Sequence, residues 1–114
     1  MHELSLAQNI IDSIRENVAV EKLPMVRSVK VKIGEGSGVV PDSLIFAFDA
    51  IVQDTVLSSS RIKPVIIPFT VRCKDCHKDS VNGSGEMICS NCDSMNVKII
   101  SGTELIVHQI ELVD

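Results

Sequence analysis

Four cysteines are the residues best equipped for chemistry in this chain: Cys73-Lys-Asp-Cys76, twelve intervening residues, then Cys89-Ser-Asn-Cys92. Each C-x-x-C is a tight turn that aims two sulfurs at one point. Two such turns supply four thiolates at the corners of a tetrahedron, the arrangement that suits Zn²⁺ with Zn–S bonds of about 2.3 Å. A segment of roughly thirty residues buries too little surface to offset its chain entropy. Metal binding, worth on the order of 10 kcal/mol in small zinc modules, supplies the difference. Three other readings are weaker. A redox C-x-x-C needs one motif ahead of a helix rather than two facing each other. Iron is chemically acceptable in a four-cysteine site but is the rarer occupant. A nucleic-acid ribbon wants a basic or aromatic surface, whereas residues 70–100 set Arg72, Lys74, Lys78 and Lys98 against Asp75, Asp79, Glu86 and Asp93, with no aromatic. Four protein ligands leave no open position for catalysis. The spacing predicts a structural zinc.

A second candidate is the start, Met1-His2-Glu3. A residue as large as His2 should spare Met1 from aminopeptidase trimming. The terminal amine, the first backbone nitrogens and the His2 imidazole can then reach one ion through small chelate rings. Such an all-nitrogen set favours Ni²⁺ or Cu²⁺ over Mg²⁺ or Ca²⁺. By itself the signal is weak, because a histidine at position 2 is most often a solvated residue at a frayed end.

The elements that must carry these groups follow from periodicity. Residues 3–19 read as an amphipathic helix, with Leu4, Ala7, Ile10, Ile11, Ile14 and Val18 at helical spacing. Residues 26–33 switch to period two, with Val29, Val31 and Ile33 opposite Lys30 and Lys32, a half-buried strand. Gly34-Glu35-Gly36-Ser37-Gly38 is a loop, and Pro41 suits the first turn of a second helix. Leu44, Phe48, Ile51 and Val52 form that helix's core stripe. Ile45 and Phe46 widen its apolar arc, so it is either deeply buried or meets a partner. Residues 61–67 read as an edge strand, since Pro64 and Pro68 lack N–H groups on the same side. Residues 104–113 form a last strand with Ile106, Ile110 and Leu112 on one face; His108, of the same parity, is expected to be packed or hydrogen-bonded rather than a ligand. The expected fold class is α+β: two helices packed on a small three-stranded sheet, with an inserted zinc-ribbon-like four-cysteine module. The domain division is 1–69 plus 101–114 for the α+β part and 70–100 for the zinc module.

Composition narrows the function. The chain is 45% hydrophobic, has Phe as its sole aromatic type, and carries a formal net charge of -4 with a pI near 5.3. An acidic balance argues against phosphate gripping, hence against nucleic acid as a partner. No run approaches the roughly 20 apolar residues of a membrane span, and no basic start followed by an apolar stretch marks a signal peptide. A cytoplasmic protein is expected, where paired cysteines serve metals rather than structural disulfides. No Ser/His/Asp set, P-loop or open metal site points to an enzyme.

The opening Met1-His2-Glu3-Leu4-Ser5 resembles that of the hydrogenase nickel-incorporation proteins, the HypA/HybF family. Gly34 to Val39 followed by Pro41-x-x-Leu44-x-Phe46-Ala47-Phe48, the paired C-x-x-C motifs, and Ser101-Gly102-x-Glu104-Leu105 are similar to that family's remaining segments, in order, along essentially the whole chain. The resemblance implies a nickel metallochaperone that holds Ni²⁺ as cargo at Met1, His2 and Glu3 and Zn²⁺ at Cys73, Cys76, Cys89 and Cys92. His2 would be the indispensable side chain, with Met1 and Glu3 lending chiefly main-chain nitrogen. Its implied partners are a nickel-handling GTPase of the HypB type, the large subunit of [NiFe] hydrogenase and, in some bacteria, urease accessory proteins; the sequence does not decide between monomer and homodimer. Two departures stand out. Gly36 occupies a position where many relatives carry a larger residue, which predicts a looser loop. His77 follows Cys76 where Gly is usual; a solvated turn histidine is its commoner role, an alternate zinc ligand the rarer one. The competing reading is a zinc-stapled interaction adaptor with no nickel-carrier role, which should tolerate changes at the first two residues.

Overall fold

The computed structural model describes residues 3–113. The chain divides into two compact units, one comprising Met1–Lys32, Val40–Val65 and Ile106–Asp114, the other Ile33–Val39 and Ile66–Leu105. The fold is α+β, as expected.

In the first unit, helix α1 (Glu3–Asn17) buries Ala7, Ile10, Ile11 and Ile14, the stripe the 3.6-residue period requires. It ends two residues before the expected boundary. Asn17 Nδ2 donates to the Ser13 carbonyl at 2.7 Å, and a 3₁₀ segment over Val20–Met25, with Pro24 inside it, carries the chain onward. Leu4, counted with the core stripe from sequence, is instead 61% exposed. Helix α2 (Pro41–Val52) starts with Pro at its first turn and buries Leu44, Ala47, Phe48 and Val52. The two helices pack on each other. Phe46 is left 77% exposed, so the widened apolar arc is not fully covered.

The sheet of this unit has the order β2-β1-β6, with β1 Val26–Gly34, β2 Arg61–Ile67 and β6 Leu105–Leu112. Along β1, Val29, Val31 and Ile33 are buried while Lys30 and Lys32 stay half-exposed, the alternation of a one-sided strand. β2 lies at an edge, where the missing N–H of Pro64 costs no ladder bond. β6 is the other edge, and its Ile106 (52%) and Leu112 remain exposed. His108, expected to be packed or hydrogen-bonded rather than a ligand, is exposed rather than packed; it borders a shallow groove with Ser13 and Asn17. Lys30 Nζ and Glu111 Oε1 lie 3.6 Å apart, an exposed pair worth less than about 1 kcal/mol.

The second unit holds three short strands that periodicity did not reveal: β3 (Thr70–Cys73), β4 (Asp79–Val81) and β5 (Val97–Ser101), in the order β4-β3-β5. Both pairings are antiparallel, with Val71 opposite Ser80 and Ile99. Its core is small: Ile33, Phe69, Val71, Cys73, Ser80 and Cys89 are buried. Glycines let the backbones cross beside it. Gly102 has φ +99°, and a Cβ there would overlap the Phe69 backbone. A Cβ on Gly34 would overlap the Gly102 carbonyl. Only glycine fits either position. Gly36 corrects the expectation of a looser loop: its N–H donates to Gly102 O at 2.7 Å, and a Cβ there would run into the Phe69 ring. Glu35 Oε1 accepts the Phe69 N–H at 3.1 Å, and Glu104 Oε1 accepts the Gly102 N–H at 2.6 Å. The loop is tied, and the missing side chain makes room for a ring.

Candidate metal centre

Cys73 closes β3, and its chain reverses at once. The Cys73 N–H donates to Lys78 O at 2.9 Å and the His77 N–H to Cys73 O at 3.0 Å. The second motif repeats these bonds at the same offsets: Cys89 N–H to Ser94 O at 2.8 Å and Asp93 N–H to Cys89 O at 2.9 Å. His77 and Asp93 hold the equivalent left-handed position, with φ +65° and +60°. Outside glycine, that conformation is tolerated best by residues such as these. His77 is therefore an exposed turn residue, and it does not join the sulfurs as a ligand in this arrangement.

Backbone amides converge on the first sulfur of each turn. Asp75 and Cys76 N–H groups point at Cys73 Sγ at 3.3 and 3.4 Å, and the Asn91 N–H points at Cys89 Sγ at 3.4 Å. Donors aimed at a sulfur favour its thiolate. The Cys76 amide is the chief cause that lowers the Cys73 thiol below its ordinary range. Cys89 falls to about 6, led by the Cys92 amide. At Cys92 the Ser94 amide favours the anion, but desolvation and the Cys73, Cys89 and Cys76 thiols outweigh it and push the group up to about 12. The amides of each turn thus favour the thiolate form of its first cysteine, the form that binds a dication.

The four Sγ atoms lie within 4.8 Å of one another, with Cys73–Cys92 and Cys76–Cys89 both at 3.6 Å. A zinc tetrahedron with bonds of about 2.3 Å has edges of about 3.8 Å. All four cysteines are free thiols. The donor set fits Zn²⁺ and fills its coordination shell, so this site stabilises rather than catalyses. All four residues singled out by their spacing are brought together.

Spacing did not disclose what holds the two turns against each other. Asp75, inside the first turn, accepts from Ser94 Oγ and from Asn96 Nδ2 (3.1 Å), while the Lys74 N–H donates to Asn96 O at 2.8 Å. Ser94 is the chief cause that keeps the Asp75 carboxyl below its usual range. Ser80, buried in β4, accepts from Ser90 N–H and Oγ, both at 3.0 Å, and lies 3.9 Å from Cys89 Sγ. The one sequence signal available was a carboxylate within a C-x-x-C. Partners that orient ligands typically contribute 10- to 100-fold in metal affinity. Asp75→Ala should therefore speed zinc loss to a chelator about 10-fold with the tetrathiolate otherwise intact; an unchanged loss rate would make the Asp75 contacts incidental.

The nickel residues fare differently. Met1 and His2 lie outside the described residues. Glu3 opens α1, half-buried, and borders a groove with Leu4, Asp42 and Phe46.

The profile of a family described as "Hydrogenase/urease nickel incorporation, metallochaperone, hypA" matches residues 1–112. The hydrogenase maturation factor HypA of Desulfatibacillum aliphaticivorans is 33% identical over 117 residues, spanning 100% of this chain and 88% of its own. That of Aquifex aeolicus (strain VF5) is 33% identical over 112 residues, spanning 98% and 97%. The solution structure of the Ni metallochaperone HypA from Helicobacter pylori superposes with a TM-score of 0.67 at 26% identity, covering 99% of this chain and 98% of that one.

Proposed function

The chain belongs to the HypA family of hydrogenase and urease nickel-incorporation metallochaperones, and from that premise we propose that it carries Ni²⁺ at Met1, His2 and Glu3. It would deliver the ion, together with a nickel-handling GTPase of the HypB type, to the large subunit of [NiFe] hydrogenase. Where a urease is matured, urease accessory proteins would be the recipients. The observation that carries this reading is a family match that runs from residue 1, through the Met-His-Glu start, to residue 112. Chemistry supports it. A primary amine, backbone nitrogens and an imidazole joined by five- and six-atom rings suit a planar divalent ion of the nickel type. Zinc, held by four thiolates, is the resident metal and nickel the cargo; no catalytic role is assigned to either. GTP hydrolysis belongs to the partner. Among the described residues no helix is long and apolar enough to cross a membrane, and the cytoplasm is the proposed site of action.

The test is a calorimetric nickel titration of zinc-loaded protein with a native start, beside a form extended by a few residues before Met1. The extension should abolish the tight nickel site, because it converts the amine into an amide, and zinc content should not change. Normal nickel binding by the extended form would refute the assignment to the N-terminus.

A further inference from the structure

Phe46 and Leu4, 77% and 61% exposed, border one open groove of about 500 Å³ between α1 and α2. Isolated apolar residues on a surface need no explanation, but a contiguous patch beside a concavity does. Here the concavity is made by Ala47 and Ala50, whose short side chains leave room beside the Phe46 ring. On helix α2 the core positions are Leu44, Ala47, Phe48 and Val52, so Phe46 contributes little to the packing of its own domain. Among the described residues, the charged groups at this groove are Glu3 and Asp42, and no cation borders it.

The surface is thus an apolar slot flanked by carboxylates. Its complement is an apolar side chain carried between basic ones. A second copy of this chain, docked face to face, would set Glu3 and Asp42 against their own copies, and like charges placed opposite each other penalise association. Glu3 also directly follows His2 in the chain, so a protein seated here lies beside the residues proposed to hold nickel.

We propose that the Phe46 groove is the docking site for a segment of the nickel-handling GTPase that presents an apolar anchor flanked by Lys or Arg. This rests on the nickel-carrier reading for the partner's identity, while the groove itself rests on Phe46, Leu4 and their acidic flank. The anchor fills the slot between Phe46 and Ala50, the arrangement in which a few buried apolar contacts dominate a protein interface. The flanking cations pair with Asp42 and Glu3, which speeds encounter and sets orientation.

The experiment measures binding of the zinc-loaded full chain to the GTPase from the same organism, by calorimetry at low and high salt, with nickel titrations run on the same samples. Phe46→Ser should weaken GTPase binding at least 10-fold. Asp42→Lys should weaken it at low salt and flatten its salt dependence. Both variants should take up nickel as the parent does, and His2→Ala should show the reverse pattern. GTPase binding by Phe46→Ser within twofold of the parent would overturn the proposal while leaving the nickel reading intact. So would absence of GTPase binding by the parent, or self-association of the parent that Phe46→Ser abolishes, which would make a second copy the occupant. Loss of nickel binding by the native parent would instead defeat the carrier reading.

Discussion

Cys73→Ser is expected to release zinc and unfold residues 70–100, while α1, α2 and the strands β1 and β2 remain formed. Cys73 is almost fully buried and ends β3, the central strand of the β4-β3-β5 sheet. Its sulfur receives the Asp75 and Cys76 amides, and its backbone closes the first turn through Lys78 and His77. A serine oxygen is a poor zinc ligand and too short to restore the tetrahedron. The free energy at stake, on the order of 10 kcal/mol, rivals the total stability of a small domain. The apolar core of this unit, Ile33, Phe69 and Val71 with the sulfurs, cannot replace it. The readout is zinc content by elemental analysis together with amide chemical-shift dispersion. Signals from residues 70–100 should collapse, with those of Ala7 to Ile14 and Leu44 to Val52 retained. Loss of all structure by circular dichroism would contradict independent units and mean that the zinc holds the whole chain.

His2→Ala carries the second large effect. Removing an imidazole from a chelate removes the one side-chain nitrogen in the proposed set. Disturbing a group that merely orients a ligand costs 10- to 100-fold in affinity, so losing the ligand itself should weaken nickel by more than about 100-fold. Zinc should stay bound at one per chain, because Cys73, Cys76, Cys89 and Cys92 complete their own shell. Glu3→Gln is the informative control. If Glu3 lends main-chain nitrogen, the amide side chain should bind nickel nearly as well as the carboxylate. A loss equal to that of His2→Ala would make the Glu3 carboxylate a ligand and replace the all-nitrogen set with a mixed one.

The parts of this protein that local chemistry can specify were legible in its residues. Two C-x-x-C motifs carry their own turn geometry, so the thiolate cluster could be read without knowing the fold, and its sulfurs do meet. The same holds for the α1 stripe at Ala7, Ile10, Ile11 and Ile14 and for the alternation of Val29, Val31 and Ile33, since helix and strand periods are properties of the backbone alone. Strands of three to five residues, such as β4 and β5, are too short to show a period and take their conformation from pairing with β3.

Only the tertiary structure decided which apolar residues are covered. Phe46 and Phe48 stand two positions apart and so on opposite sides of α2; packing decided that the side of Phe48 is fully buried and the side of Phe46 left exposed. Ile106 and Leu112 alternate like core residues but lie on an edge strand. The Asp75 clasp on Ser94 and Asn96 and the crossing of Gly34, Gly36 and Gly102 at Phe69 join residues tens of positions apart. Spacing and period encode what a residue can do with its near neighbours. Contact between distant segments is a property of the packed chain, and it placed both the support of the zinc turns and the open groove at Phe46.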